Sequence, residues 1–222
     1  MNYILDAYTS HDTASRQFML EDIQLPYGYF HEKIFQFCDC SYYSADWITI
    51  ETLLTMKNCY SLDIGENWLS YTDMNRFLKF WTQSEVDMFD DYFNINMEED
   101  IPENELFNGI TRLNSSRFRS PTYFVVANST QRKRQLLIIW YEEKKLKFAA
   151  WSPEDNCQDV NGRDVFFQKE LDALKDVERQ KELKKKLEEN NNEEEIMKEI
   201  RELNEKLLEL EVRGKFSIIE SS

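Results

Sequence analysis

DWITIETLLTMKNCYSLDIGENWLSYTDMNRFLKFW, Asp46 to Trp81, holds a helical pattern, a short apolar strand and a second helical pattern in quick succession. In the second helical pattern Met74, Phe77, Leu78 and Trp81 fall at i, i+3, i+4 and i+7. One helix face therefore carries an apolar stripe, and Arg76 and Lys79 lie outside it. Thr72 is the expected N-cap, with Asp73 and Asn75 near the start. The first helical pattern, Asp46 to Met56, repeats the logic more weakly, with Ile50, Leu53, Leu54 and Trp47 facing inward.

Working outward, the apolar runs Ile34 to Cys38, Tyr60 to Ile64 and Val86 to Phe89 start 26 residues apart, and each is short enough for a strand. A helical stretch follows each one: Asp46 to Met56, Thr72 to Thr82 and Pro102 to Ile110. Strand and helix recurring at a period in the twenties predict a leucine-rich-repeat-like stack, with parallel strands on one face and helices on the other. The third unit is the weakest, since Met97 to Asp100 is nearly all acidic and only Leu106, Phe107 and Ile110 are left to bury.

The runs Trp47 to Met56, Asp63-Ile64 and Met74 to Trp81 resemble the associated domain (type 2) of nematode F-box proteins. That family's pattern is a leucine-rich helix ending near a Met, a strand, and an Asn-x-Phe-Leu-x-x-Trp helix, matched here by Asn75, Phe77, Leu78 and Trp81. The resemblance covers Gln24 to Ile110. It implies a substrate-receptor role, in which the repeat surface captures a target while an F-box recruits a ubiquitin ligase. Met1 to Leu25 is too short for that three-helix module, so no binding to the SCF adaptor is expected. The charged C-terminal helices are not part of the family pattern.

Charge is unevenly placed. Met1 to Ile110 carries 20 acidic and 5 basic residues, whereas Thr111 to Ser222 carries 22 of each. All the surplus of −15 thus lies on the repeat-like half, where it repels nucleic acid and anionic membranes and favours basic partners. No apolar run approaches the roughly 18 residues of a membrane span, and no basic-then-apolar leader opens the chain. A cytoplasmic protein is expected, though a nuclear one is also compatible with the sequence. Cys38, Cys40, Cys59 and Cys157 fit no disulfide framework and read as structural thiols rather than as a zinc site with His31. Met1 to Tyr29, with a turn at Pro26 and Gly28, is expected to cap the stack.

After Ile110 the pattern changes. Thr122 to Ala127, Arg134 to Tyr141 and Leu146 to Trp151 read as an antiparallel meander joined by short polar turns. In its middle run Leu136, Ile138 and Trp140 point one way and Leu137, Ile139 and Tyr141 the other. Both faces should therefore be covered, one by the repeats and one by the helix that follows. Arg132, Lys133 and Arg134 read as a solvated turn tip. From Asp164 the composition is that of long helix, interrupted at Asn190 to Asn192. Ile196, Ile200, Leu203, Leu207 and Leu210 form a heptad seam that faces Phe167, Leu171, Leu174, Val177, Leu183 and Leu187 in a folded-back coiled-coil hairpin, or a second chain in a dimer. The monomeric hairpin is favoured because the seam is short. Gly214 ends it, and Phe216, Ile218 and Ile219 add a strand.

The expected organisation is α/β: residues 1–120 a repeat-like F-box-associated domain, 121–160 a β meander packed on it, and 164–213 charged coiled-coil helices. Neither His11 nor His31 has a partner constellation, and the chain has only five glycines, with no phosphate-cradling loop among them. Acidic clusters such as Asp87, Asp90 and Asp91, and Glu98, Glu99 and Asp100, are candidates for a metal-dependent hydrolase, but runs of carboxylates usually form solvated faces. No catalytic residue, cofactor or metal is expected. The reading is a non-catalytic protein-interaction module with an unidentified target, its alternative a coiled-coil scaffold or oligomerisation protein.

Overall fold

The computed structural model describes residues 17–20, 24–36, 39–97, 101–118, 120–155, 157–158, 164–189, 193–214 and 216–220. Nine of the described strands form one mixed sheet in a mixed α/β architecture. Strands β1 (Gln17–Leu20), β2 (Asp39–Ser44), β3 (Cys59–Glu66) and β4 (Phe89–Asn96) pair in parallel. Beyond β4 the sheet continues antiparallel through β8 (Lys145–Trp151), β7 (Leu136–Glu142), β6 (Thr122–Val126), β5 (Arg112–Ser115) and β11 (Phe216–Ile219). A separate two-stranded ribbon joins β9 (Cys157–Gln158) to β10 (Asp164–Val165).

Three helices lie on one face, α1 (Ile50–Leu53), α2 (Tyr71–Gln83) and α3 (Glu103–Leu106). The α2 stripe is as the 3.6-residue period requires, with Met74, Phe77, Leu78 and Trp81 all fully buried. Phe77 sits 5.2 Å from the Phe93 ring of β4 and 5.8 Å from Phe148 of β8, which stack on each other at 5.1 Å. Its N-cap is Ser70, not Thr72. The Ser70 hydroxyl accepts from the Asp73 amide, and the Asp73 carboxylate accepts in return from the Ser70 amide, closing a capping box.

The uniform period of 26 is corrected by the register. Gln17 pairs with Asp39 and Asp39 with Ser61, 22 residues apart each time, whereas Leu62 pairs with Phe93, 31 residues on. The longer unit holds the 13-residue α2 and the shorter one the four-residue α1. The helix expected from Asp46 is short because Asp46 and Trp47 form a turn. There Trp47 inserts edge-on against Tyr42 and Tyr29, and Thr49 caps the helix only at Ile50. Two strand boundaries also move. Ile34 and Phe35 lie in a turn that tucks beneath the sheet, with the Tyr42 hydroxyl donating to the Ile34 carbonyl, and the strand begins at Asp39. Val86 is exposed, and β4 begins only at Phe89.

The meander matches its expected faces. Leu137 and Ile139 join the core beneath α1–α3, while Leu136 and Ile138 join a second core on the opposite face. That second core is closed by Phe167 and by Leu171, Leu174 and Val177 of α4 (Gln168–Glu189). Helix α5 (Glu193–Gly214) folds back along α4, with Lys206 against Asp176, Gln180 against Asn204 and Arg179 against Glu199. The expected turn at Asn190 to Asn192 lies outside the described residues, as does most of the expected N-terminal cap. Within that cap, β1 contributes a strand that the sequence reading did not anticipate. Strand β5 was likewise unread, and β11 returns from the hairpin to pair with it. Among the described residues no helix is long and apolar enough to cross a membrane.

Candidate interaction surface

Each parallel strand alternates between the core and the far side of the sheet. Cys40, Tyr42, Leu62, Ile64, Phe93 and Ile95 face the helices, so Ser41, Tyr43, Asp63, Tyr92 and Asn94 face away. The second core draws on β5 to β8 and takes nothing from β2 to β4, so among the described residues it does not extend over this half of the far side. Tyr43 is 63% exposed and Tyr92 37%. Polar neighbours order the face: Lys145 Nζ lies 2.9 Å from both carboxylate oxygens of Asp63, and the Ser61 hydroxyl donates to Asp39. Strand packing here is close. A Cβ on Gly65 would lie 2.3 Å from the Tyr43 carbonyl oxygen, a contact that only glycine avoids.

At the carboxyl ends of these strands the chain presents Trp68, 76% exposed, between β3 and α2. Its loop is fixed on both sides. The Asn67 amide donates to the Gly65 carbonyl at 2.8 Å and to the Asn96 carbonyl of β4 at 3.0 Å, while its oxygen accepts from the Leu69 amide at 2.9 Å. The Ser70–Asp73 capping box follows at once. Two grooves flank the indole. One, of about 780 Å³, includes Asp46, Glu66, Glu143 and Lys144 in its walls; the other, of about 380 Å³, includes Tyr71 and Glu105. Trp68, Asn96 and Met97 belong to both. Carboxyl ends of parallel strands are where open α/β sheets place their binding crevices. A rigidly held, exposed tryptophan is the residue type that dominates protein–protein binding energy.

The residues singled out from the sequence are distributed otherwise. Arg132 and Arg134 are not a solvated tip. The Arg132 guanidinium is buried 4.1 Å above the Trp81 ring centroid, donates to the Trp81 carbonyl at 2.6 Å and pairs with Asp87. Arg134 pairs with Asp155 and lies 3.7 Å from Asp90. Asp87 and Asp90 of the proposed carboxylate cluster are thus engaged in holding the meander to the parallel strands. Burial raises the Asp91 carboxyl above its ordinary range, against the pull of Arg134. Glu98, Glu99 and Asp100 lie outside the described residues, as does Cys38. Cys40 and Cys59 are buried, and their thiols donate to the Ile34 and Ser61 carbonyls. Among the described residues no group of His, Cys, Asp and Glu is placed to hold a metal ion.

Asn75, read from the sequence as a residue near the helix start and a member of the Asn-x-Phe-Leu-x-x-Trp pattern, has a defined task. Its buried amide donates to the carbonyls of Leu106 and Asn108 at 2.8 and 2.9 Å, closing the end of α3 onto α2. Glu103, at the start of α3, is pushed up by burial. Hydrogen bonds from Arg112 and Tyr123 outweigh that effect and hold it below its usual range. Trp68 escaped the sequence reading. The available signal was an aromatic residue just ahead of a helix N-cap and off the apolar stripe, a position with no core to enter.

Compared with protein-family models, residues 29–88 match the family described as F-box associated. The matched span runs from the turn before β2 to the residue before β4, and it includes Trp68. No curated protein and no solved structure matches the chain.

Proposed function

We propose that this chain is a non-catalytic protein-interaction module that captures a target on the grooves around Trp68 and the adjoining open sheet face, as the target-facing part of an F-box ubiquitin-ligase receptor would. The family match over residues 29–88 supports an interaction role. The observation that carries the site is Trp68, held out at 76% exposure on a loop pinned by Asn67. Exposing an indole forgoes roughly 1.5–3 kcal/mol of burial, and ordering the loop in advance lowers the entropy lost on binding. In this reading α1 to α3 behind the parallel strands act as a leucine-rich-repeat-like scaffold. Recruitment of the ligase belongs to an F-box rather than to residues 29–88. Burial of Ile200 and Leu207 within one chain supports a monomer whose coiled-coil hairpin braces the meander.

The test is capture from a lysate of the source organism on immobilised wild-type, Trp68→Ala and Met197→Ala chains, read by mass spectrometry. Proteins held by the wild type and by Met197→Ala on the distant α5, and lost from Trp68→Ala, are expected. Identical sets from wild type and Trp68→Ala would remove the site assignment.

A further inference from the structure

Resting on that interaction reading, we propose that the larger Trp68 groove takes an arginine side chain of the target. The groove's charges point to a cation. Asp46, Glu66 and Glu143 have no ion-pair partner among the described residues. Of the two lysines in the same walls, Lys145 is already held by Asp63, which leaves Lys144 alone against three carboxylates. Two of the three carboxylates, Asp46 and Glu66, belong to the half of the chain, Met1 to Ile110, that carries the whole net charge of −15.

The wall points to a particular cation. An exposed indole face attracts a cation through its quadrupole, and a planar guanidinium can lie flat on it while its N–H groups fork outward to carboxylates. An ammonium is a compact point charge and must give up more hydration to reach the same place. The pinned loop means that the indole is presented before the guest arrives. Another part of the groove's wall is held separately: Glu143 and Lys144 occupy a tight turn at positive φ, and the Lys144 carbonyl accepts from the Met97 amide at 2.9 Å.

The test uses the full chain and capped glycine-rich heptapeptides carrying two arginines, two lysines or two citrullines. The probe is the Trp68 indole N–H resonance, assigned by its loss in Trp68→Phe. The arginine peptide is expected to shift that resonance and to bind about threefold more tightly than the lysine peptide. Citrulline keeps the shape without the charge, and its peptide is expected to leave the resonance in place. Trp68→Ala, an exposed change that spares the core, should weaken binding of the arginine peptide about fivefold, read by calorimetry. The triple change Asp46→Asn, Glu66→Gln, Glu143→Gln should weaken it at least as much. Glu194→Gln, Glu195→Gln, Glu205→Gln on α5 removes the same charge and should not.

Three results would overturn the inference: an unmoved indole resonance at millimolar arginine peptide, equal binding of arginine and citrulline peptides, or equal losses from the two triple variants. The last would mean that only the overall field is felt. Any of these alongside Trp68-dependent capture from the lysate would leave the interaction reading standing with a different guest.

Discussion

The guanidinium of Arg132 lies 4.1 Å over the indole ring of Trp81, joining the tip of the first meander turn to the last turn of α2. It also donates to the Trp81 carbonyl and pairs with Asp87, so one side chain ties three segments together. Burial lowers the Arg132 pKa, but a guanidinium remains charged at any working pH. Arg132→Met keeps much of the volume while leaving Asp87 without its cation and the Trp81 carbonyl without its donor. A loss of about 3 kcal/mol is expected, equivalent to a fall of about 6–12 °C in Tm for a chain of this size. Arg132→Lys should recover only part of this, because an ammonium cannot both cover the ring and reach the carbonyl and the carboxylate. Calorimetric melting of the three proteins decides it, and equal melting temperatures would show that the stack contributes nothing.

Asn75 invites a comparison of a truncation with an isosteric change. With the amide gone in Asn75→Ala, the buried Leu106 carbonyl and the part-buried Asn108 carbonyl lose their donor, at a cost of about 1–3 kcal/mol. Asn75→Asp keeps the shape but sets a carboxylate against the Leu106 and Asn108 carbonyls, so it should be the worse of the two at neutral pH. Urea denaturation gives both values. If Asn75→Asp were as stable as the parent, the amide would have no role in closing α3.

What could be read from sequence is what a single segment decides. The α2 stripe follows from a 3.6-residue period, and the two faces of β7 follow from simple alternation, because each pattern is complete within a dozen residues. The repeat spacing misled because units of 22 and 31 residues average close to the 26 read from the apolar runs. Arg132 looked like a solvated tip because its partners Trp81 and Asp87 lie some 50 residues away in sequence and nothing local announces them. Strand β5 was missed since RLNS carries one apolar residue, Leu113, and its pairing depends on β6 and on β11 from the far end of the chain. Trp68 was missed for the opposite reason. Hydrophobic patterning finds what is buried, and the residue that best fits a binding role here is the one left outside.

Glu170, in the first turn of α4, gives the last prediction. Its side chain is fully buried; one carboxylate oxygen meets Arg117, and the other has no hydrogen-bond partner among the described residues. Burial raises its pKa above the ordinary value, with Arg117 pulling the other way. A carboxyl whose folded pKa lies above its unfolded one binds more protons in the folded state between the two values. Stability must therefore fall as pH rises through that window, and above it the loss is constant. Arg117 is about a third exposed and stays hydrated without its partner. Glu170→Gln removes the titration, so its stability relative to the parent should improve from pH 4 to pH 7, with the rise confined to the window above the ordinary glutamate value. Urea denaturation across that range tests it, and parallel pH profiles for the two proteins would show that Glu170 carries no raised pKa in the folded chain.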